Sequence, residues 1–201
     1  MNQNRVVLDV GGLPKYAFGH KGLIWWGTVG FMVIEGSVFL LVFVTYFFLR
    51  TRESHWPPAL PNPGLTYATA NTLLLLVSLV PNQITKWAAE RLDVKRVRFW
   101  LWPCLAFAVA AIVIRAFEFT TLGVRWDTNA YGSVVWMLLG IHTSHLITDF
   151  LDSAVLTALV YTAHLDDKRM VDVSENALYW YFVVLSWVPI YLIIYFAPRW
   201  L

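Results

Sequence analysis

The stretch IWWGTVGFMVIEGSVFLLVFVTYFFL, residues 24–49, runs for 26 residues with a single Asp, Glu, Lys, Arg or His among them, Glu35. About 20 consecutive apolar residues cross a bilayer as an α-helix, so this stretch is long enough to span one. Four more segments of the same kind follow, at about 68–89, 99–122, 131–161 and 175–197. Each must be helical, because an isolated strand leaves its N–H and C=O groups unpaired in lipid. The expected fold is therefore all-α: an integral membrane bundle of five transmembrane helices, in a single transmembrane domain covering 1–201. Residues 1–23 form a polar lead. No small-residue cleavage site follows a short apolar core, so this lead does not read as a signal peptide. In the loop 50–67, Trp56-Pro57-Pro58, Pro61, Pro63 and Gly64 stop one helix and delay the next.

Composition agrees with the spans. Hydrophobic residues make up 58% of the 201 and charged ones only 14%, and the mean hydropathy is +0.57. With five spans drawn from this length, no room is left for an extramembrane domain. A net charge of +2 gives no footing for nucleic acid. The single Cys104 lies in an apolar run, which excludes a disulfide framework and any multi-cysteine metal or iron–sulfur site.

Orientation follows from the basic residues. Arg5, Lys15 and Lys21 of the lead, Lys86, Arg91, Lys95, Arg96 and Arg98 of the second loop, and Lys168 and Arg169 of the fourth share one side. The other side holds Arg50, Arg52, Arg125 and Arg199. Lys and Arg are retained on the cytoplasmic face, so the N-terminus is expected in the cytoplasm and the C-terminus outside. Trp25, Trp26, Trp100, Trp102, Tyr161 and Trp200 fall near span ends, where amphipathic rings favour the interface.

A charge inside a span needs a partner, a cavity or a function. Glu35 sits about 16 Å into the first helix, near mid-membrane, at 1.5 Å per residue. It is either a proton-exchanging carboxyl or a hydrogen bond between helices. His142, His145, Asp149 and Asp152 are spaced 3, 4 and 3 residues apart, which puts them on one face of the fourth helix, within an arc of about 80°. That face should line the bundle interior or a polar cleft, and the two histidines reach the depth of Glu35. Imidazoles alone at i and i+3 make no metal set, and His20, His55 and His164 lie outside the apolar cores, so no metal or haem site is expected. Arg115 and Glu118 are i, i+3 on the third helix. They are either a self-neutralised pair or the edge of a cleft where Arg115 holds an anionic lipid headgroup.

Taken in order along the chain, several short motifs resemble cytochrome c oxidase subunit III in its short five-helix form. They are Gly30-Phe31-Met32-Val33-Ile34-Glu35, Trp56-Pro57-Pro58 followed by Asn71-Thr72, Glu118, Tyr131-Gly132-Ser133, Gly140-Ile141-His142-Thr143-Ser144-His145 and Tyr179-Trp180. The sequence departs from the family at Arg115 (usually Gln), Phe119 (Tyr), Tyr181 (His) and Val184 (Asp).

The resemblance implies a V-shaped bundle with a lipid cleft, in a bacterial inner membrane. It implies an accessory subunit that packs on the catalytic subunit I and on subunit II of a haem–copper oxidase, binds structural phospholipid, and supports proton uptake and the durability of the core. The oxidoreductase activity would belong to the complex; this chain would carry no catalytic centre, and the haems and copper would sit in the catalytic subunit. By position, Glu35 would be the family's buried, carbodiimide-reactive carboxyl. His142, His145 and Glu118 match other polar positions of the family. Together with Asp149, Glu35 and the two histidines form the expected proton-handling or buried polar cluster, and Arg115 and Glu118 the lipid-cleft candidates. The competing readings are a similar subunit of a quinol oxidase or nitric oxide reductase, a small proton-coupled transporter, and a membrane metalloenzyme. Transporters usually show inverted repeats and broken helices, which are not evident in this sequence.

Overall fold

The computed structural model describes residues 17–58, 62–162 and 167–200. Most of the polar lead, with Arg5 and Lys15, lies outside the described residues, as do Pro61 and His164. The described residues are helical, without strands, and five helices are long and apolar enough to cross a membrane. They are α1 (Leu23–Arg52), α2 (Leu65–Glu90), α3 (Val94–Thr120), α4 (Ala130–Thr162) and α5 (Asp167–Tyr191). A π-helical turn, Leu192–Phe196, and a last turn, Ala197–Trp200, continue α5.

Local chemistry sets the helix ends. After α2, Leu92 takes a left-handed φ of 56°. Asp93 then caps α3, its Oδ1 accepting the Arg96 N–H at 3.1 Å. A turn this short makes α2 and α3 antiparallel neighbours. At the start of α4, Asn129 Oδ1 accepts the Gly132 N–H at 2.8 Å. A Cβ on Gly132 would collide with the Arg125 carbonyl and the Val124 side chain, so glycine lets the 121–129 loop lie on the helix.

The fifth helix begins eight residues before the 175 expected from hydropathy, at Asp167. Its polar-looking first turns bury Met170 and Val173 in a small cluster with Ala88, Ala89, Val97, Leu101 and Val160. This segment is amphipathic; its apolar side packs on the bundle, and Ser174 and Glu175 are buried beside it.

α2 packs on α3 and α5, α4 also packs on α3 and α5, and α1 lies against α4 and α5. Lipid tails are as apolar as leucine, so burial alone does little to hold helices together in a membrane; packing and hydrogen bonds do. Between α2 and α5 the bonds form a zipper. Trp187 Nε1 donates to Thr72 Oγ1 at 2.7 Å and Trp180 Nε1 to Ser78 Oγ at 2.9 Å. Asn82 Nδ2 donates to the Ala177 carbonyl at 2.9 Å, and Thr69 and Tyr191 share a bond of 2.7 Å. Each such bond contributes about 0.6 kcal/mol.

The buried residues of α1, Phe39, Val42 and Tyr46, lie in its second half. Near them, the Trp56 ring packs edge-on against Tyr46 and Tyr131. Along its first half, α1 is separated from α4 and α5 by a cleft of about 780 Å³.

Candidate functional site

The face of α4 expected to be a single polar stripe serves three neighbours. His142 turns into the core, His145 meets α1, and Asp149 and Asp152 meet α5.

His145 Nε2 stands 3.2 Å from Glu35 Oε1, and the two side chains are 13% and 18% exposed. Tyr179 of α5 donates its hydroxyl to Glu35 Oε2 at 2.7 Å. His145 Nδ1 lies 2.6 Å from the Ile141 carbonyl, which can only accept, so Nδ1 carries a hydrogen. Nε2 and the carboxyl oxygen are within hydrogen-bond distance of one another. Phe39 and Phe182 flank the imidazole, with ring centroids 5.1 and 6.3 Å away. Glu35 and Tyr179 line the inner part of the cleft. This is a carboxyl–imidazole pair with one partner lining a cavity.

His142 is fully buried and lies in a different network. Arg115 Nη2 approaches its Nδ1 at 3.2 Å, and its Nε2 faces the Val183 carbonyl at 2.9 Å. Arginine only donates and a carbonyl only accepts, so Nδ1 is the acceptor and Nε2 carries the hydrogen. His142 is thereby fixed as one neutral tautomer. Arg115 Nη1 pairs with Glu118 Oε2 at 3.1 Å, and Tyr195, within the π-helical turn, donates to Glu118 Oε1 at 2.5 Å. The guanidinium also lies 3.7 Å from the centre of the Trp187 ring.

This geometry corrects the expectation that Arg115 and Glu118 line a lipid cleft. Both side chains are 0% exposed, so neither can reach a lipid headgroup. A buried guanidinium is tolerable only with its charge matched, and the Glu118 carboxylate supplies that, with the imidazole taking one Nη2 donor and the indole face adding a cation–π contact, while Nε has no hydrogen-bond partner.

Asn176 of α5 joins the two aspartates: its Nδ2 donates to Asp149 Oδ1 at 3.4 Å and to Asp152 Oδ2 at 3.2 Å. Ser153 Oγ donates to Asn176 Oδ1 at 2.9 Å. Among the described residues, no three His, Cys, Asp or Glu side chains are grouped as a metal ion would need.

Sequence reasoning missed Tyr195, Trp187 and Asn176 as site residues. Tyr179 enters only through a family motif. Aromatic residues in apolar runs read as packing or interface anchors, and nothing in the sequence says which hydroxyl or indole N–H will meet a buried carboxyl.

The comparisons with known proteins agree with this architecture. The family model described as Cytochrome c oxidase subunit III matches residues 14–199. Relatives of that name include one from Thermostichus vulcanus, 24% identical over 188 residues, covering 92% of each chain. Another, from Corynebacterium diphtheriae, is 26% identical over 186 residues, covering 90% of this chain and 91% of its own. A Mycobacterium tuberculosis relative, named a probable cytochrome c oxidase subunit 3, is 27% identical over 185 residues, with 90% and 91% covered. With a match running through all five helices, this multi-pass membrane protein belongs to the cytochrome c oxidase subunit III family.

Proposed function

We propose that this chain is the accessory subunit III of a bacterial respiratory haem–copper oxidase, set in the inner membrane with its N-terminus in the cytoplasm. It packs on catalytic subunit I and on subunit II, which carry the haems and copper and reduce oxygen to water. It holds no redox centre of its own. Phospholipid lies along the exposed apolar face of α1, which carries Val33, Leu40, Leu41 and Val44. The observation that carries the reading is Glu35, a carboxyl inside a span with His145 and Tyr179 as partners, in a chain of this family. Such a pair can take up and release a proton without moving a helix, which suits a subunit that supports proton uptake by its neighbour.

The test is purification of the tagged chain from its native membrane in mild detergent. The expected result is co-elution with a haem–copper catalytic subunit and oxygen consumption by the complex. Phospholipid should be retained, and the chain expressed alone should show no haem absorbance. Elution without any oxidase subunit would overturn the reading. A catalytic partner that reduces nitric oxide, or that takes electrons from quinol, would place the chain in the corresponding sister complex.

A further inference from the structure

The cleft between α1, α4 and α5 is of mixed lining. Ile24 and Phe31 of α1 and Val155, Leu156 and Leu159 of α4 are apolar, while Asp149 and Asp152 of α4 and Asp172 and Glu175 of α5 bring carboxyls to it. Among the described lining residues Arg169 is the one basic side chain, and it pairs with Asp172 at 3.6 Å. Asp149 and Asp152 share the single amide of Asn176. Glu175 is 4% exposed, and neither of its carboxyl oxygens has a hydrogen-bond partner. Lys86 of α2, itself paired with Glu90 at 3.5 Å, acts on Glu175 only through its charge.

A buried carboxyl left unpaired is costly, so water or a cation is expected to reach it. The cleft has room for many waters, each occupying about 30 Å³ in the liquid. Its polar groups are also in sequence along the helices. Asp172, Asn176 and Tyr179 follow one another on α5, and Asp152 and Asp149 on α4 lead toward His145 beyond the lining, each about one helical turn from the next. Steps of about 5 Å are short enough for one or two waters to bridge.

We propose that this cleft is a water-filled, cation-attracting vestibule that carries protons between the end of the bundle where α1 begins and the Glu35–His145 pair. Asp172, Asp152, Glu175 and Asp149 raise the local concentration of hydronium, and Asn176 holds two of them in line. A hydronium at the mouth gives up its proton and becomes water. The pair takes up that proton, held between the Glu35 carboxyl and His145 Nε2. Release retraces the path. The end point of this route rests on the proposed role of Glu35 in proton uptake; the hydration of the cleft does not.

The two parts are tested separately, on the full chain in its native membrane. In a Cys104→Ala background, Thr28→Cys and Asn176→Cys each place a thiol on the cleft wall, from α1 and from α5. Both thiols should react with a cationic methanethiosulfonate at least about tenfold faster than with an anionic one, the preference a negatively lined cleft imposes. Reaction only with a neutral, lipid-soluble maleimide, or no preference for the cation, would overturn the vestibule. Glu35 should also be labelled by a water-soluble cationic carbodiimide, as read by peptide mass spectrometry. Prior modification of Asn176→Cys should slow that labelling and leave labelling by a hydrophobic carbodiimide unchanged. Reactive thiols with no water-soluble labelling of Glu35 would overturn the route while leaving the oxidase assignment standing. Neither readout depends on oxygen consumption.

Discussion

His145 Nε2 meets the Glu35 carboxyl at 3.2 Å, whereas His142, three residues earlier on the same helix, accepts from Arg115 and donates to the Val183 carbonyl. The two histidines of one short motif thus have opposite chemistries. One is coupled to a carboxyl that lines a cavity; the other is clamped in a single tautomer in the core.

Glu35→Gln keeps an acceptor for Tyr179 and hydrogen-bonding capacity toward His145 but cannot exchange the carboxyl proton. Assembly with the oxidase partners should survive. Steady-state turnover, its pH dependence, or the number of turnovers before inactivation should change, as followed by oxygen uptake over time. Glu35→Ala should in addition weaken assembly, because Tyr179 and His145 lose their partner. Wild-type behaviour of the Gln variant in every assay would leave Glu35 with a structural role alone.

His142→Leu should destabilise the chain more than His145→Leu. The first strands a donor of Arg115 in the core, at a cost of about 1–3 kcal/mol. The second acts at a pair that a cavity adjoins. Thermal unfolding in detergent checks the order, and a larger loss for His145→Leu would contradict it.

Arg115→Gln leaves the Glu118 carboxylate buried without its opposite charge and should cost about 3 kcal/mol. Glu118→Gln made in the same chain should recover most of that loss, since neither member then carries a charge. Unfolding midpoints of the two single variants and the double variant form a cycle. Additive losses would show that the pair is not coupled.

Reporter tags at the N-terminus and in the 90–97 loop should lie in the cytoplasm, and tags at 125–128 and at the C-terminus outside. Protease protection or a compartment-specific fluorescent fusion reads the result. A cytoplasmic C-terminus would reverse the orientation proposed from the basic residues.

The five spans are legible in the sequence because lipid demands an apolar run from each, and a run of that length has few other uses. The early start of α5 is not, because hydropathy averages Met170 and Val173 with Lys168, Arg169 and Asp172 around them. Helical spacing correctly places His142, His145, Asp149 and Asp152 on one side of α4, but an arc of about 80° is wide enough to touch three neighbours. Which neighbour each residue meets depends on how α1, α3 and α5 stand around it, and that is tertiary information. Arg115 shows the same limit. Its spacing from Glu118 gives the ion pair, yet not the imidazole and indole that make full burial possible.

The zipper that joins α2 to α5 also imposes an order on biogenesis. Thr72 and Ser78 enter the bilayer with the second span, Glu35 with the first and Glu118 with the third, but Trp187, Trp180, Tyr179 and Tyr195 that complete them all belong to the last. A nascent chain halted after four spans therefore lacks the four donors that these oxygens accept from. Arrival of the fifth helix supplies them all at once, so the bundle is completed by its last span.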